Sequence, residues 1–151
     1  MQLVYVLVIL HALAAIAFFG PGLSLASLSR SALGHTGEAR AALLDQGARS
    51  IRTMTLAGVA AAVLAYATFA LGLSQGVRYG WPYHASATLI LVLLAVHVFG
   101  TARAWKGLSG PSPEAARGKV AAFTGIGHLL WVLIFLLMFM KYFVPSAARI
   151  G

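Results

Sequence analysis

The sequence contains no cysteine and only three acidic residues among its 151 positions. Without cysteine the chain cannot form disulfide bonds, iron–sulfur clusters or thiolate-ligated metal sites, and its redox compartment stays undetermined. Charged residues make up only 9% of the chain, whereas roughly 25% is usual for a soluble domain. Because this composition cannot cover a water-facing surface, a soluble enzyme, a nucleic-acid-binding domain and a disordered chain are excluded.

Long stretches without charge dominate the chain instead. Four blocks contain no Asp, Glu, Lys or Arg: 1–29, 53–77, 79–102 and 120–140. Each block is long enough for a membrane-spanning helix, which needs about 20 predominantly apolar residues. The first block lacks the basic start of a cleavable signal peptide and is too long for one, so we expect it to be retained as a helix.

These blocks predict an all-α integral membrane protein whose residues 1–151 form one transmembrane domain. The helices of this four-helix bundle are expected at about 2–29, 52–73, 82–102 and 119–143. Residues 39–50 are interpreted either as a short amphipathic helix on the membrane surface or as an extension of the second span. Pro21 predicts a kink in the first helix, and the Gly, Pro and Ser content of residues 107–118 predicts a loop.

Basic residues are concentrated in the first and third predicted loops, which hold eight of the eleven lysines and arginines. They are Arg30, Arg40, Arg49, Arg52, Arg103, Lys106, Arg117 and Lys119. Since basic residues accumulate in cytoplasmic loops, both termini are predicted to lie outside the cytoplasm. The net charge of +8 therefore does not imply a nucleic-acid partner. We expect a multi-pass protein of a bacterial-type inner (cytoplasmic) membrane, with the lipid bilayer as its surroundings.

Histidine is the only ionisable residue expected deep inside the predicted spans. At about 1.5 Å of rise per residue, His11 lies roughly 13 Å below the outer membrane surface. His97 and His128 lie roughly 9 Å and 13 Å from the cytoplasmic surface, and therefore at similar depth. His84 lies near the outer surface and about 140° around its helix from His97. We therefore predict that His84 is not an axial ligand. Ionisable groups at depth are costly and tend to mark function, so the deep histidines are candidate site residues.

Helical spacing predicts which residues share a face with these histidines. On the third span, the face of His97 also contains Ser86, Ile90, Leu93, Gly100 and Thr101. On the first span, the face of His11 contains Ala14, Ala15, Phe18 and Gly22. The small residues beside His11 form a narrow groove that suits either tight helix packing or a flat ligand.

Histidines flanked by small and aromatic residues in a membrane bundle are typical of b-type haem sites. Neutral imidazole is a good axial ligand of haem iron, and b-type haem needs no covalent attachment. We therefore interpret His11, His97 and His128 as candidate haem and metal ligands, and the pair that ligates stays open. Arg52 and Arg103, at the cytoplasmic edge, are candidate partners of the haem propionates.

Other interpretations of the histidines stay open. A histidine inside a membrane can hydrogen-bond across helices and hold a bundle together without any cofactor. The chain would then be a transporter, an assembly factor or a subunit of a larger complex. A copper-handling protein would use histidines and Met54, because imidazole and thioether groups both bind copper. The sequence is also compatible with a homo-oligomer.

Several short motifs occur in a characteristic order along the chain. A histidine ends the stretch YVLVILH at residues 5–11, and arginines precede a methionine in RSIRTM at residues 49–54. The third span opens with Trp-Pro-Tyr at 81–83 and closes with His97 and the triplet Thr-Ala-Arg at 101–103. In this order the chain resembles the four-helix membrane protoporphyrinogen oxidase family of bacteria and its copper-resistance D-type relatives.

The resemblance implies a haem-b-binding scaffold in which His11 is the leading axial ligand and His97 matches a histidine late in the third helix. The chain departs from the oxidases at His84–Ser86, where they have a lysine, and at Phe123–Gly125, where they have an Asn-Glu-Pro element. We therefore expect a membrane haem protein with an electron-transfer role, linked to a quinone or another membrane redox partner. If it is an enzyme, it is a haem-dependent membrane oxidoreductase.

Overall fold

The computed structural model describes residues 2–143, and these fold into helices without any strand. Its five α-helices are α1 Gln2–Leu33, α2 Gly37–Ser74, α3 Trp81–Ala95, α4 Ala102–Lys106 and α5 Pro113–Phe143. A π-helical segment, Val96–Thr101, joins α3 to α4, and a 3₁₀ turn, Gly107–Ser109, follows α4. The predicted all-α class is therefore confirmed for the described part of the chain.

Four helical segments of the structure are long and apolar enough to cross a membrane. Three of them are α1, α2 and α5, and the fourth runs from Trp81 to Ser109 through the π-helical segment. Large apolar side chains point outward from these helices, as Leu56 and Leu129 do with 74% and 75% of their surfaces exposed. Helices satisfy their own backbone hydrogen bonds, which a span in lipid requires. The architecture is that of a multi-pass membrane protein.

Two helices begin earlier than the sequence analysis predicted. Helix α2 begins at Gly37 rather than near residue 52, so residues 39–50 are an extension of the second span. Helix α5 begins at Pro113 rather than near residue 119. Proline is favoured in the first helical turn, and the acidic residues Glu38 and Glu114 in the two first turns interact well with the helix dipoles.

The proline in α1 does not end the helix, which continues through Pro21 to Leu33. Near the other end of the chain, Pro145 and Arg149 lie outside the described residues. The described part of α5 ends at Phe143.

The α1–α2 and α4–α5 connections lie at the same end of the bundle, which we call the basic end. Two hydrogen bonds join the helices there: Arg40 Nη2 donates to the Leu108 carbonyl at 2.9 Å, and Trp105 Nε1 donates to the Leu44 carbonyl at 3.1 Å. Trp105 is only 5% exposed and belongs to the core, whereas Trp81 at the start of α3 is 50% exposed. The basic end is therefore held together by specific packing as well as by the short connections.

Candidate cofactor and metal sites

The three deep histidines do not meet around a single cavity. His11 lines an apolar cleft in the half of the bundle away from the basic end, whereas His97 and His128 line a smaller inner cavity. Phe18 and Leu93 line both spaces and therefore form the wall between them. His97 and His128, which the depth estimate placed at similar heights, are the two that lie together.

The apolar cleft has a volume of about 270 Å³ and lies between α1, α2, α3 and α5. Small residues on one side allow close approach to the backbone: Ala12, Ala15, Gly58 and Ala61. Aromatic rings of α5 line the other side: Trp131, Phe135 and Phe139. The indole of Trp131 and the ring of Phe135 stack with centroids 5.6 Å apart. Small residues of α1 and α2 and flat rings of α5 thus line one cleft, which we also call the slot.

A second cavity, of about 250 Å³, adjoins the cleft at His11. Both cavities are lined by Val8, His11, Ile90, Ile134 and Met138. The second cavity is more polar, because Tyr66, Thr68 and Ser86 contribute hydroxyl groups to its lining. His11 thus lies between the apolar cleft and a cavity lined in part by hydroxyl groups.

The ring of His11 is held in a defined orientation. His11 Nδ1 lies 2.8 Å from the backbone carbonyl oxygen of Ala61 on α2. A carbonyl can only accept, so in the neutral ring Nδ1 carries the proton and Nε2 has the lone pair. Within the described residues, Nε2 has no hydrogen-bond partner. A hydrogen bond from one ring nitrogen to a backbone carbonyl is the arrangement that fixes metal-ligating histidines.

The inner cavity is much smaller, at about 20 Å³, which is space for one water molecule or one ion. His97 and His128 line it together with Met54 and Thr124. A Cβ atom built on Gly22 would lie 3.1 Å from both His128 Nε2 and the methyl carbon of Met54. The side chain of Met54 and the imidazole of His128 therefore both approach the α1 backbone at Gly22, which has no side chain.

His97 lies in the π-helical segment and has its own orienting contact. Thr55 Oγ1 donates to the Ile51 carbonyl at 2.8 Å and so accepts from His97 Nε2 at 3.0 Å. This chain of hydrogen bonds places the proton on Nε2 and leaves Nδ1 with a lone pair. Phe18 packs edge-on against the imidazole, with centroids 5.4 Å apart. π-Helical segments are frequent at functional sites because they change the direction of side chains.

Two polar atoms beside the inner cavity are buried without a hydrogen-bond partner: His128 Nε2 and Thr124 Oγ1. Such groups are costly to bury unless a water molecule or an ion satisfies them. In the described part of the chain, no group of three His, Cys, Asp or Glu residues is arranged to hold a metal. Beside the two histidines, Met54 is a residue of the lining that can supply a further, thioether ligand. Thr55 and Thr124 were not predicted as site residues, because isolated threonines are common in membrane helices.

The remaining candidates lie away from both histidine cavities. Arg52 is exposed on α2, and Arg103 is exposed at the basic end, where its guanidinium carbon lies 5.3 Å from the ring centroid of Phe99. Neither arginine lines the cleft that contains His11. His84 is exposed, and its ring packs edge-on against Phe69 with centroids 5.2 Å apart. That His84 is not an axial ligand stays a prediction.

Comparison of the chain with protein-family models, with curated proteins and with solved structures finds no match.

Proposed function

We propose that this chain is a membrane b-type haem protein with an electron-transfer role, in which His11 is the axial ligand. The observation that carries the proposal is the hydrogen bond from His11 Nδ1 to the Ala61 carbonyl, 2.8 Å long, which leaves Nε2 available beside the apolar cleft. An imidazole fixed in this way needs no rearrangement to bind a metal.

The lining of the cleft supports a flat, largely apolar ligand. Its volume of about 270 Å³ is close to the lower end of the roughly 300–1,000 Å³ that is typical of small-molecule sites. Exposed apolar side chains, among them Ile16 and Phe139, line the cleft, so part of a ring system can extend beyond it. The inner cavity, at about 20 Å³, does not fit a macrocycle. The proposal therefore assigns haem to His11 and not to His97 or His128.

Bound haem b would supply one-electron chemistry at its iron. The residues of the chain contribute the surroundings: Ala61 holds the imidazole of His11, and the aromatic rings of α5 keep water from the slot. The adjoining cavity, with hydroxyl groups of Tyr66 and Ser86, is the route by which a membrane quinone or quinol would approach. An enzymatic activity, if present, would be that of a membrane oxidoreductase acting through this route.

The test is the optical spectrum of the protein purified from haem-replete cells. We expect a Soret band in the wild-type protein and its loss, or a change of spin state, in His11→Ala. His84→Ala is the matched control, since this exposed histidine lines neither cavity, and it should keep the wild-type spectrum. A second variant, Ala15→Phe, narrows the slot and should lower haem content while His11 is intact. A colourless wild-type protein, or an unchanged spectrum in His11→Ala, would refute the proposal.

A copper-handling function is the second candidate, and the inner cavity favours it. Met54 and His128 converge above Gly22, and His97 lines the same small space. Thioether and imidazole ligands together favour Cu(I) over the harder divalent metals. An ion there would also satisfy the buried His128 Nε2.

This candidate is tested by titrating the purified protein with Cu(I) in competition with a colorimetric chelator. Met54→Leu and His128→Ala should each weaken binding by about ten-fold or more. Met138→Leu is the control, because Met138 lines the cleft and not the inner cavity. Copper binding that is unaffected by Met54→Leu would remove the inner cavity from consideration. His11→Ala should leave Cu(I) binding unchanged, so the haem and copper experiments report on separate sites.

A further inference from the structure

A third cavity lies at the basic end and is independent of the histidine sites. It has a volume of about 470 Å³ and lies between the segment Phe99–Gly110 and the first turns of α5. Arg103 and Lys119 line it together with Phe99, Phe123 and Ser112. We call it the basic pocket. It shares only Phe123 with the inner cavity and no residue with the apolar cleft.

The two cations of the basic pocket are not neutralised by neighbouring carboxylates. In residues 3–140, whose side chains the structure describes, the ion pairs are Arg49 with Asp45 and Arg117 with Glu114. Neither Arg103 nor Lys119 takes part in them, and both side chains are exposed. The pocket therefore presents uncompensated positive charge at the end of the bundle where most of the basic residues lie, which favours an anionic ligand.

The rest of the lining indicates that this anion carries apolar chains. Phe99 lies on the exposed face of the third span, with 62% of its surface exposed, and its ring packs against the guanidinium of Arg103. Phe123 extends the apolar wall on α5. A free inorganic anion would use the cations but not the aromatic wall. A phospholipid uses both, because its phosphate lies at the membrane surface and its acyl chains run along the helices.

We propose that the basic pocket binds an anionic phospholipid, with Arg103 and Lys119 contacting the phosphate and Phe99 packing against an acyl chain. This assigns Arg103 a ligand different from the haem propionates that the sequence analysis suggested. The proposal does not depend on haem or copper binding, because the pocket is separated from both histidine sites.

Native mass spectrometry of the purified protein, titrated with phosphatidylglycerol or phosphatidylcholine in detergent, tests the proposal. Phosphatidylglycerol should bind more tightly than phosphatidylcholine. Arg103→Gln and Lys119→Gln should each reduce that binding by about five-fold, the effect expected for one basic residue near a charged headgroup. Arg52→Gln and Arg30→Gln remove exposed charges that do not line the pocket and should leave the binding unchanged.

A further variant separates a lipid site from a simple anion site. Phe99→Ala should weaken phosphatidylglycerol binding although it removes no charge. Three outcomes would overturn the proposal: equal binding of the two lipids, an effect of Arg52→Gln as large as that of Arg103→Gln, or displacement of the lipid by millimolar inorganic phosphate. Because Arg103 and Lys119 are exposed, their glutamine variants should keep the wild-type unfolding temperature, which serves as the folding control.

Discussion

At Gly47 the backbone of α2 lies directly beneath the indole of Trp105. A Cβ atom built there would overlap Trp105 Cζ2, far inside the contact distance of two carbon atoms. The indole also donates a hydrogen bond to the Leu44 carbonyl at 3.1 Å, so it cannot move away without losing that bond. Because Gly47 has no side chain, the buried indole of Trp105 can pack against α2 and join the second and third spans at the basic end.

Gly47→Ala is therefore expected to destabilise the protein by about 1–3 kcal/mol, the usual cost of overpacking a core. Thermal unfolding in detergent measures the loss, and a red shift of tryptophan fluorescence would report that Trp105 has left its site. Gly118→Ala is the control, because a Cβ atom there meets nothing within 4 Å. It should be neutral or slightly stabilising, since alanine favours helix more than glycine does. Equal unfolding temperatures for the two variants would contradict the packing argument.

At the scale of helices, the four spans could be predicted because charge is excluded from lipid. Their polar ends could be predicted only as alternatives. Residues 39–50 include Arg40, Asp45 and Arg49, so hydropathy alone does not decide between a surface helix and an extension of the second span, and the structure continues α2 through them without a break. The exposed ion pair of Arg49 with Asp45, four residues apart, is the kind that supports a helix outside the membrane. The predicted helix starts near residues 52 and 119 were wrong because α2 and α5 both begin before the apolar stretch of the span.

The predicted face of His97 was more accurate than the predicted helix bounds. Every residue assigned to the face of His97 is buried: Ser86, Ile90, Leu93, His97, Gly100 and Thr101. What spacing could not predict is the π-helical segment and the grouping of the histidines. Both depend on contacts between helices, such as Phe18 standing between the cleft and the inner cavity. Candidate residues were therefore available from the sequence, but their division into sites was not.

Across the whole molecule, packing is tightest at the basic end. The largest fully buried side chains all belong to that half: Leu25, Leu108, Val120 and Ser29. The two cavities that contain His11 lie in the other half. A bundle that is fixed at one end and more open at the other can admit a ligand between its helices without losing its core. If the basic end faces the cytoplasm, the ligand-sized cavities lie toward the opposite side of the membrane.

This orientation can be tested directly, because a chain without cysteine acquires a single thiol from one substitution. Gln75→Cys places it between α2 and α3, and Ser109→Cys places it at the basic end; both positions are exposed. A membrane-impermeant maleimide applied to intact cells should label Gln75→Cys, whereas Ser109→Cys should be labelled only after the membrane is permeabilised. This pattern follows from the basic residues near Ser109, which resist translocation. The reverse pattern would contradict that orientation and would place the basic pocket in the outer leaflet, away from the lipids of the cytoplasmic surface.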